Sequence, residues 1–162
     1  MNIHLGYRPG CIGRIVELHA SYYARTAGFG APFEAKVASG LAAFCLDYQV
    51  DRDGLWLVEQ DGVIHGSIAI DGSHHEASGA HLRWFITSDA SRGQGIGSQL
   101  LTAAMGFCRA RGYGQVHLWT FDGLHAARHL YEKHGFTLTQ SQQGTQWGKE
   151  VTEQLFTCQI GL

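Results

Sequence analysis

A glycine-rich turn near the middle of the chain constrains the fold more than any other segment. Gly93, Gly95 and Gly97 alternate with Gln94 and Ile96, between a strand-forming stretch and an amphipathic helical stretch. Glycine lets a backbone turn sharply and approach a ligand closely. The first turn of a helix has unpaired amide hydrogens and a positive dipole end, which suit a pyrophosphate. A tight turn with no ligand would use the same residues, so both interpretations stay open here.

Two well-known phosphate-binding motifs fit this turn poorly. A dinucleotide-binding loop needs G-x-G-x-x-G in a first strand–helix–strand unit, whereas here the third glycine comes one position early and the loop lies in mid-chain. A P-loop needs Gly-Lys-Ser/Thr, but Gly97 is followed by Ser98 and Gln99.

Hydrophobic periodicity before the turn predicts a strand, two amphipathic helices and three further strands. The strands are placed at Asn2–Tyr7, Leu55–Gln60, Val63–Ile70 and Ala80–Thr87, and the helices around Ile12–Tyr23 and Phe33–Tyr48. Asp61-Gly62 is a strong hairpin signal because both residues tolerate positive φ. A polar loop, Asp71–Gly79, leads to the last of these strands.

The stretch after the turn predicts a helix, a strand, a second helix and a closing antiparallel pair. These are the apolar stripe from Ile96 to Cys108, Val116–Phe121, Leu124–His134, and the pair Phe136–Gln140 and Leu155–Ile160 across a polar loop. The full order is β-α-α-β-β-β-α-β-α-β-β. We find no linker or internal repeat, and we therefore expect one domain over residues 1–162.

Charge and hydropathy narrow the class of protein. The formal net charge is -2 and no Lys/Arg run stands out, so we expect no nucleic-acid or membrane partner. No apolar stretch approaches the roughly 18–20 residues of a membrane span. The N-terminus shows no signal-peptide pattern, so we expect a cytoplasmic protein.

Cysteine and histidine usage indicates neither a disulfide framework nor a metal centre. The four cysteines are far apart and form no C-x-x-C pair, which predicts free, mostly buried thiols. His74 and His75 adjoin Glu76, but no pair has helical ligand spacing beside a third convincing ligand. We expect solvated loop histidines and no metal.

The spacing Arg92-x-x-Gly95-x-Gly97 resembles the acetyl-coenzyme A signature of the GNAT family of N-acetyltransferases. A strand ending in Leu82–Thr87 precedes it, and Ala126–Phe136 resembles the family's second motif. More narrowly, the chain resembles the bacterial branch that is also found fused to MarR-type DNA-binding domains. The resemblance implies an α/β fold with a mixed, mainly antiparallel central sheet flanked by helices.

The resemblance also implies an activity and a cofactor site. A GNAT protein transfers the acetyl group of acetyl-CoA to a primary amine by direct attack in a ternary complex, and needs no metal. Main-chain groups of one strand, Phe85, Ile86 and Thr87, would pair with the pantetheine amides. Backbone amides of the turn would hold the pyrophosphate; these belong to Arg92, Gly93, Gln94, Gly95, Ile96, Gly97 and Ser98.

Tyr131 occupies the position of the family tyrosine that protonates the departing thiolate, although it could equally be a buried aromatic of its helix. His81 lies where some relatives carry a catalytic glutamate, and an ordinary histidine pKa suits proton removal at neutral pH. It could also be only a polar strand residue. Glu34 and His125 are weaker candidates for the base, and a water relay could replace a side-chain base altogether.

Relatives cover the acceptor with their first two helices and last hairpin. In this chain those stretches offer aromatic side chains and one carboxylate, which would suit a cationic amine, although a hydrophobic core would need the same aromatic spacing. The predicted acceptor-binding residues are Tyr22, Phe29, Phe33 and Glu34.

Two positions depart from the family pattern, and several questions stay open. Asp89 stands where many members carry proline, and Leu124 where many carry an asparagine that contacts the cofactor. A CoA-binding sensor or regulatory protein without transferase activity is therefore the alternative function. The acceptor, a small molecule or a peptide amine, is not identified. Homodimers are common in the family, and the oligomeric state also stays open.

Overall fold

The computed structural model describes residues 1–161 as a seven-stranded sheet with helices on both faces. The strands are β1 (Asn2–Leu5), β2 (Gly54–Gln60), β3 (Val63–Asp71), β4 (Ala80–Thr87), β5 (Gln115–Phe121), β6 (Thr137–Gly144) and β7 (Val151–Gln159). The helices are α1 (Cys11–Ala27), α2 (Ala31–Leu46), α3 (His75–Ser78), α4 (Ile96–Arg111) and α5 (His125–Lys133), with a 3-10 turn at Asp89–Ser91.

The order of strands across the sheet is β1-β2-β3-β4-β5-β7-β6. All neighbours are antiparallel except β4 and β5, which run parallel. The predicted mixed, mainly antiparallel sheet and the predicted element order are therefore confirmed. The short helix α3 is an addition within the predicted polar loop.

Two hydrophobic cores lie on opposite faces of the sheet. Side chains alternate along a strand, so Leu55 and Leu57 of β2 pack with α1 and α2, whereas Trp56 and Val58 pack with α4. This two-sided burial explains why β2 is a continuous apolar run and not an alternating one.

The closing antiparallel pair is longer than the sequence predicted. The predicted strands ended at Gln140 and began at Leu155, but the pairing continues from Gln140↔Leu155 to Gly144↔Val151. The polar residues of this extension form an edge strand, whose side chains stay in water while the backbone completes its hydrogen bonds with β7. Prediction from hydropathy missed this extension because an exposed edge needs no apolar residues.

Other local predictions agree with the structure. The hairpin between β2 and β3 turns at Asp61 (φ 53°) and Gly62 (φ 77°), as expected. The first strand is shorter than predicted because Gly6, at φ 102°, ends it after Leu5. All four cysteines are free, and three are buried. No helix within residues 1–161 is long and apolar enough to cross a membrane.

Candidate functional site

A cleft opens where the two parallel strands of the sheet separate. β4 and β5 pair only at Ala80↔Val116 and His81↔His117, although the strands have eight and seven residues. Beyond His81 the edge of β4 that faces β5 has no strand partner among the described residues. The gap leaves backbone amide and carbonyl groups available to an extended ligand.

A β-bulge in β4 accompanies this separation. Trp84 and Phe85 together oppose one residue of β3, because Ser67 pairs with Ile86 and Ala69 pairs with Arg83. Trp84 takes a left-handed conformation (φ 49°), which is uncommon for a bulky side chain. The Ser67 hydroxyl donates to the Trp84 carbonyl at 2.7 Å. A bulge of this kind bends its strand, consistent with the divergence of β4 from β5.

The cleft contains about 870 Å³ of space, counting its open mouth. Residues 81–85 of β4 and 118–121 of β5 form its floor. Its walls come from α1, α2, α5 and the loop after β6. Aromatic residues dominate these walls: Tyr23, Phe33, Trp84, Phe85, Trp119, Phe121, Tyr131 and Trp147. A predominantly apolar cleft with a few polar groups is typical of small-molecule sites.

The glycine-rich turn connects β4 to α4. Gly93 (φ 78°) and Gly95 (φ 72°) are left-handed, so each needs the freedom of glycine. The amide hydrogens of Gly93, Gln94 and Gly95 are donated to no carbonyl oxygen of residues 1–161. Beside the turn, the Arg92 guanidinium lies 3.0 Å from the Asp89 carboxylate. The turn therefore presents free donors at the positive end of a 16-residue helix.

Gly97 brings the start of α4 close to the cleft. A β-carbon at this position would lie 3.2 Å from Leu130 Cδ2 and 3.4 Å from the Phe85 ring, which lines the cleft. Gly97 thus permits tight packing among α4, α5 and β4, and it places the free amides beside the cleft.

Tyr131 lies on α5 and lines the cleft, with only 7% of its surface exposed. Its ring packs 5.9 Å from the Phe85 ring, and its hydroxyl has no hydrogen-bond partner among the described residues. Burial, reinforced by the neighbouring Tyr23, raises the pKa of the Tyr131 hydroxyl well above that of free tyrosine. The hydroxyl therefore keeps its proton.

His81 lines the cleft at the point where the strands separate. Its ring stacks on His117 at a centroid distance of 4.5 Å. Burial, with a further contribution from the Arg83 charge, lowers the pKa of His81 to about 3. The ring is therefore neutral at physiological pH, in the state that can accept a hydrogen bond, but it is a weak base.

The predicted acceptor-binding residues separate into two groups. Phe33 is buried and lines the cleft. Phe29 is buried behind it, against Phe33 and Phe121, and does not line the cleft. Tyr22 lies at the glycine-rich turn, with the Arg92 guanidinium 5.2 Å from its ring. Glu34 is exposed on α2 and is not among the lining residues.

Two polar cleft residues were not recognised in the sequence. His19 is 6% exposed, and its Nδ1–H donates to the Ile15 carbonyl at 2.8 Å, which leaves Nε2 as an acceptor. Lys36 donates from Nζ to the Gln146 carbonyl at 2.8 Å. His19 looked like one position of an apolar helical stripe, and Lys36 like an ordinary surface residue. Only the packing of α1 and α2 over the sheet brings both to the cleft.

Within residues 1–161, no three His, Cys, Asp or Glu side chains are close enough together to hold a metal ion. His75 packs its ring 4.7 Å from Tyr113 at the far end of the sheet. The polar groups that the cleft offers are its side chains, the free edge of β4 and the amides of the turn.

Comparison with protein families finds one match, to the acetyltransferase (GNAT) family, over residues 14–136. This range includes most of α1, all of α2, the glycine-rich turn and α5, and so contains most of the cleft wall. No curated protein sequence matches the chain significantly.

Solved structures with the same fold cover nearly the whole chain. A ribosomal-protein-alanine N-acetyltransferase from Brucella melitensis is 14% identical with a TM-score of 0.77, covering 99% of this chain and 100% of its own. A putative acetyltransferase, yncA, from Salmonella typhimurium, solved with its cofactor acetyl-CoA, is 18% identical with a TM-score of 0.76 and coverages of 100% and 96%. A spermidine N-acetyltransferase variant from Vibrio cholerae is 14% identical with a TM-score of 0.71 and coverages of 98% and 95%.

Proposed function

Since this chain belongs to the GNAT acetyltransferase family, we propose that it is an N-acetyltransferase that moves the acetyl group of acetyl-CoA onto a primary amine. Both substrates would occupy the cleft together, and the amine would attack directly. The observation that carries this proposal is the adjacency of two unsatisfied backbone surfaces. The free amides of Gly93–Gly95 lie at the start of α4, and the unpaired edge of β4 lies beside them.

These two surfaces fit different parts of coenzyme A. The amides from Arg92 to Ser98, at the positive end of α4, would hold the pyrophosphate. The free edge of β4 at Phe85, Ile86 and Thr87 would pair with the two amides of the pantetheine arm, as a neighbouring strand does. The Salmonella neighbour was solved with its cofactor acetyl-CoA, which supports acetyl-CoA as the ligand of this fold.

Acetyl-CoA supplies the acetyl group as an activated thioester. The amine nitrogen attacks the carbonyl carbon, so a C–N bond forms and the C–S bond breaks. Backbone N–H groups on the β4 edge would stabilise the charge that develops on the carbonyl oxygen. Tyr131 would hydrogen-bond to the departing sulfur and give it its proton. The burial that raises the pKa of Tyr131 would also make a thiolate in the cleft more basic, which favours this transfer.

The amine must give up a proton before or during attack. His81 is neutral and lies in the cleft, so we propose that it accepts a hydrogen bond from the incoming amine. Because its pKa is low, His81 would not hold the proton, which would pass through cleft water to bulk solvent. Binding both substrates in one cleft would supply much of the rate enhancement by proximity.

The decisive experiment is release of free coenzyme A thiol from acetyl-CoA across a panel of amines, with calorimetric binding of acetyl-CoA in parallel. We expect binding of acetyl-CoA and acetylation of at least one amine, identified by a mass increase of one acetyl group. Absence of acetyl-CoA binding at millimolar concentration would contradict the assignment of the cleft.

One observation favours a second function, a CoA-binding sensor without transferase activity. No carboxylate lines the cleft among the described residues, so a carboxylate general base for acetyl transfer is missing there. A protein that binds acetyl-CoA tightly but acetylates none of the amine panel would support the sensor over the enzyme.

A further inference from the structure

The charged side chains that line the cleft are both cations. They are Lys36 on α2 and Arg83 on β4. The two cleft histidines, His19 and His81, are neutral because burial lowers their pKa values to about 4 and about 3. No Asp or Glu of residues 1–161 is among the lining residues. A ligand in this cleft therefore meets two cationic side chains and no carboxylate among the lining residues.

The carboxylates nearest to these cations are already engaged. Asp71 accepts hydrogen bonds from the hydroxyl and the amide of Ser73 at 2.6 and 3.0 Å, and its contact with Arg83 is long, at 3.4 Å. Glu153 is 3% exposed and accepts from the Gln146 amide at 2.9 Å. These groups reduce the positive charge of the cleft, but neither presents an anion to a ligand.

Lys36 and Arg83 also repel each other. The Lys36 ammonium binds a neutral carbonyl, that of Gln146, and has no carboxylate within ion-pair distance in the described chain. Partial burial lowers the pKa of Lys36; the Glu153 charge acts against this shift, and the Arg83 charge adds to it. An anion between the two cations would relieve this repulsion.

The remainder of the acceptor wall is aromatic. Tyr23, Phe33 and Phe121 pack edge-to-face around the cleft, with ring centroids 5.4 and 5.7 Å from Tyr23. The Arg83 guanidinium lies over the Trp84 ring, 4.1 Å from its centroid, in a cation–π contact. The wall thus combines a large apolar surface with two cations and with His19 Nε2, which can accept a hydrogen bond.

We propose that the acceptor is an amino carboxylate: a small molecule with one primary amine, one carboxylate and an apolar or aromatic side chain. Its carboxylate would bind Lys36 and Arg83, and its amine would face the neutral histidines. This inference rests on the proposed acetyltransferase function and specifies its substrate class. It also excludes di- and polycationic amines, which would meet like charge in the cleft.

The test compares amines that differ only in the carboxylate. L-phenylalanine is paired with 2-phenylethylamine, and L-leucine with 3-methylbutylamine; spermidine represents the polycations. Thiol release is measured with acetyl-CoA in excess. We expect kcat/KM for each amino acid to exceed that of its decarboxylated partner at least tenfold, and spermidine to be the poorest acceptor.

The matched variants are Lys36→Met and Lys133→Met. Lys133 is an exposed lysine on α5 that does not line the cleft. We expect Lys36→Met to raise KM for the amino acid about tenfold and to leave KM for its decarboxylated partner within about twofold. Lys133→Met should change neither. Lys36 is itself exposed, so its replacement should leave folding intact.

A second readout does not depend on turnover. Calorimetry in the presence of coenzyme A compares binding of L-phenylalanine and 2-phenylethylamine to wild-type protein and to Lys36→Met. If the amino acid binds more tightly than the amine, and Lys36→Met abolishes this difference, the proposal is supported. If in addition no amine is acetylated, only the proposed transferase function is contradicted. Equal or tighter binding of the decarboxylated amine, or efficient acetylation of spermidine, would overturn the proposal.

Discussion

At the scale of single residues, burial decides what the cleft side chains can do. The apolar surroundings of Tyr131 keep its hydroxyl protonated at neutral pH and make it a weaker acid than free tyrosine. The same burial acts against His81 and His19, because it removes their charge and weakens them as bases. A sequence identifies the residue type, whereas the environment sets its proton affinity.

The first prediction concerns the proton donor. Tyr131→Phe removes the hydroxyl and keeps the ring packed against Phe85 and Phe136. We expect kcat to fall about 10²- to 10⁴-fold, as for loss of a general acid, while the Kd for acetyl-CoA stays within about twofold. A thiol-release assay measures kcat, and calorimetry measures the Kd for acetyl-CoA. Tyr7→Phe, at an exposed tyrosine near the N-terminus, is the control and should behave as wild type.

At the scale of elements, two local departures from regular structure shape the cofactor side of the cleft. The bulge at Trp84 bends β4, and the left-handed glycines Gly93 and Gly95 fold the chain back into α4. The left-handed conformation costs glycine little, but at Trp84 it is strained, and the Ser67–Trp84 hydrogen bond helps to hold it. Strain concentrated in one place is consistent with a functional site.

The second prediction tests the close packing of α4. In Gly97→Ala the new β-carbon would lie 3.2 Å from Leu130 Cδ2 and 3.4 Å from the Phe85 ring, so these side chains or α4 must move by a few tenths of an ångström. We expect weaker acetyl-CoA binding, by about tenfold, and a loss of about 1 kcal/mol in the free energy of unfolding. Gly106→Ala is the matched control, because Gly106 lies on the same helix with open space around it. It should stabilise the protein by about 0.5–1 kcal/mol. Equal effects of both variants would contradict the packing argument.

The third prediction concerns the segment that joins α2 to β2. Asp53 is 1% exposed, and its carboxylate accepts from the amides of Gln49 (3.0 Å) and Gly72 (2.8 Å) and from Arg52 (2.9 Å). It therefore fastens the end of β3 to this segment. We expect Asp53→Ala to lower the free energy of unfolding by about 2–4 kcal/mol, because three donors lose their acceptor. Urea denaturation measures this, and Asp51→Ala, at an exposed carboxylate, should cost less than about 0.5 kcal/mol.

At the scale of the whole molecule, the sheet separates two tasks. One face carries α4 and α5 with the turn proposed for the cofactor, and the other carries α1 and α2, which wall the proposed acceptor side. The cleft connects the two faces because β4 and β5 diverge. Buried neutral histidines are part of this arrangement, and they link its stability to pH.

The fourth prediction follows from that link. His19 has a pKa of about 4 in the folded protein and about 6.5 when unfolded, so the unfolded chain binds more protons between these values. Stability contributed by neutral His19 is therefore complete above pH 6.5 and is lost as pH falls towards 4. We expect His19→Leu to reduce the pH dependence of the unfolding free energy by up to about 1.4 kcal/mol per pH unit in this window. Urea denaturation from pH 4.5 to 7.5 measures the slope. His129→Leu, at an exposed histidine, should leave the slope nearly unchanged, and an unchanged slope in His19→Leu would refute the assignment.

Much of this protein is determined by its sequence alone. Element order, the Asp61-Gly62 hairpin and the mixed, mainly antiparallel sheet were all predicted, because periodicity and turn chemistry are local properties. The glycine-rich turn and its spacing identified the family for the same reason, since backbone conformation at Gly93 and Gly95 requires glycine.

Tertiary structure alone decided the composition of the cleft. Lys36 on α2 and Arg83 on β4 are far apart in the chain, and no local pattern indicates that they line one cavity without a carboxylate. Glu34, which the sequence offered as that carboxylate, points to solvent two residues from Lys36. The angle at which α2 crosses the sheet selects which residue faces inward, and long-range packing fixes that angle.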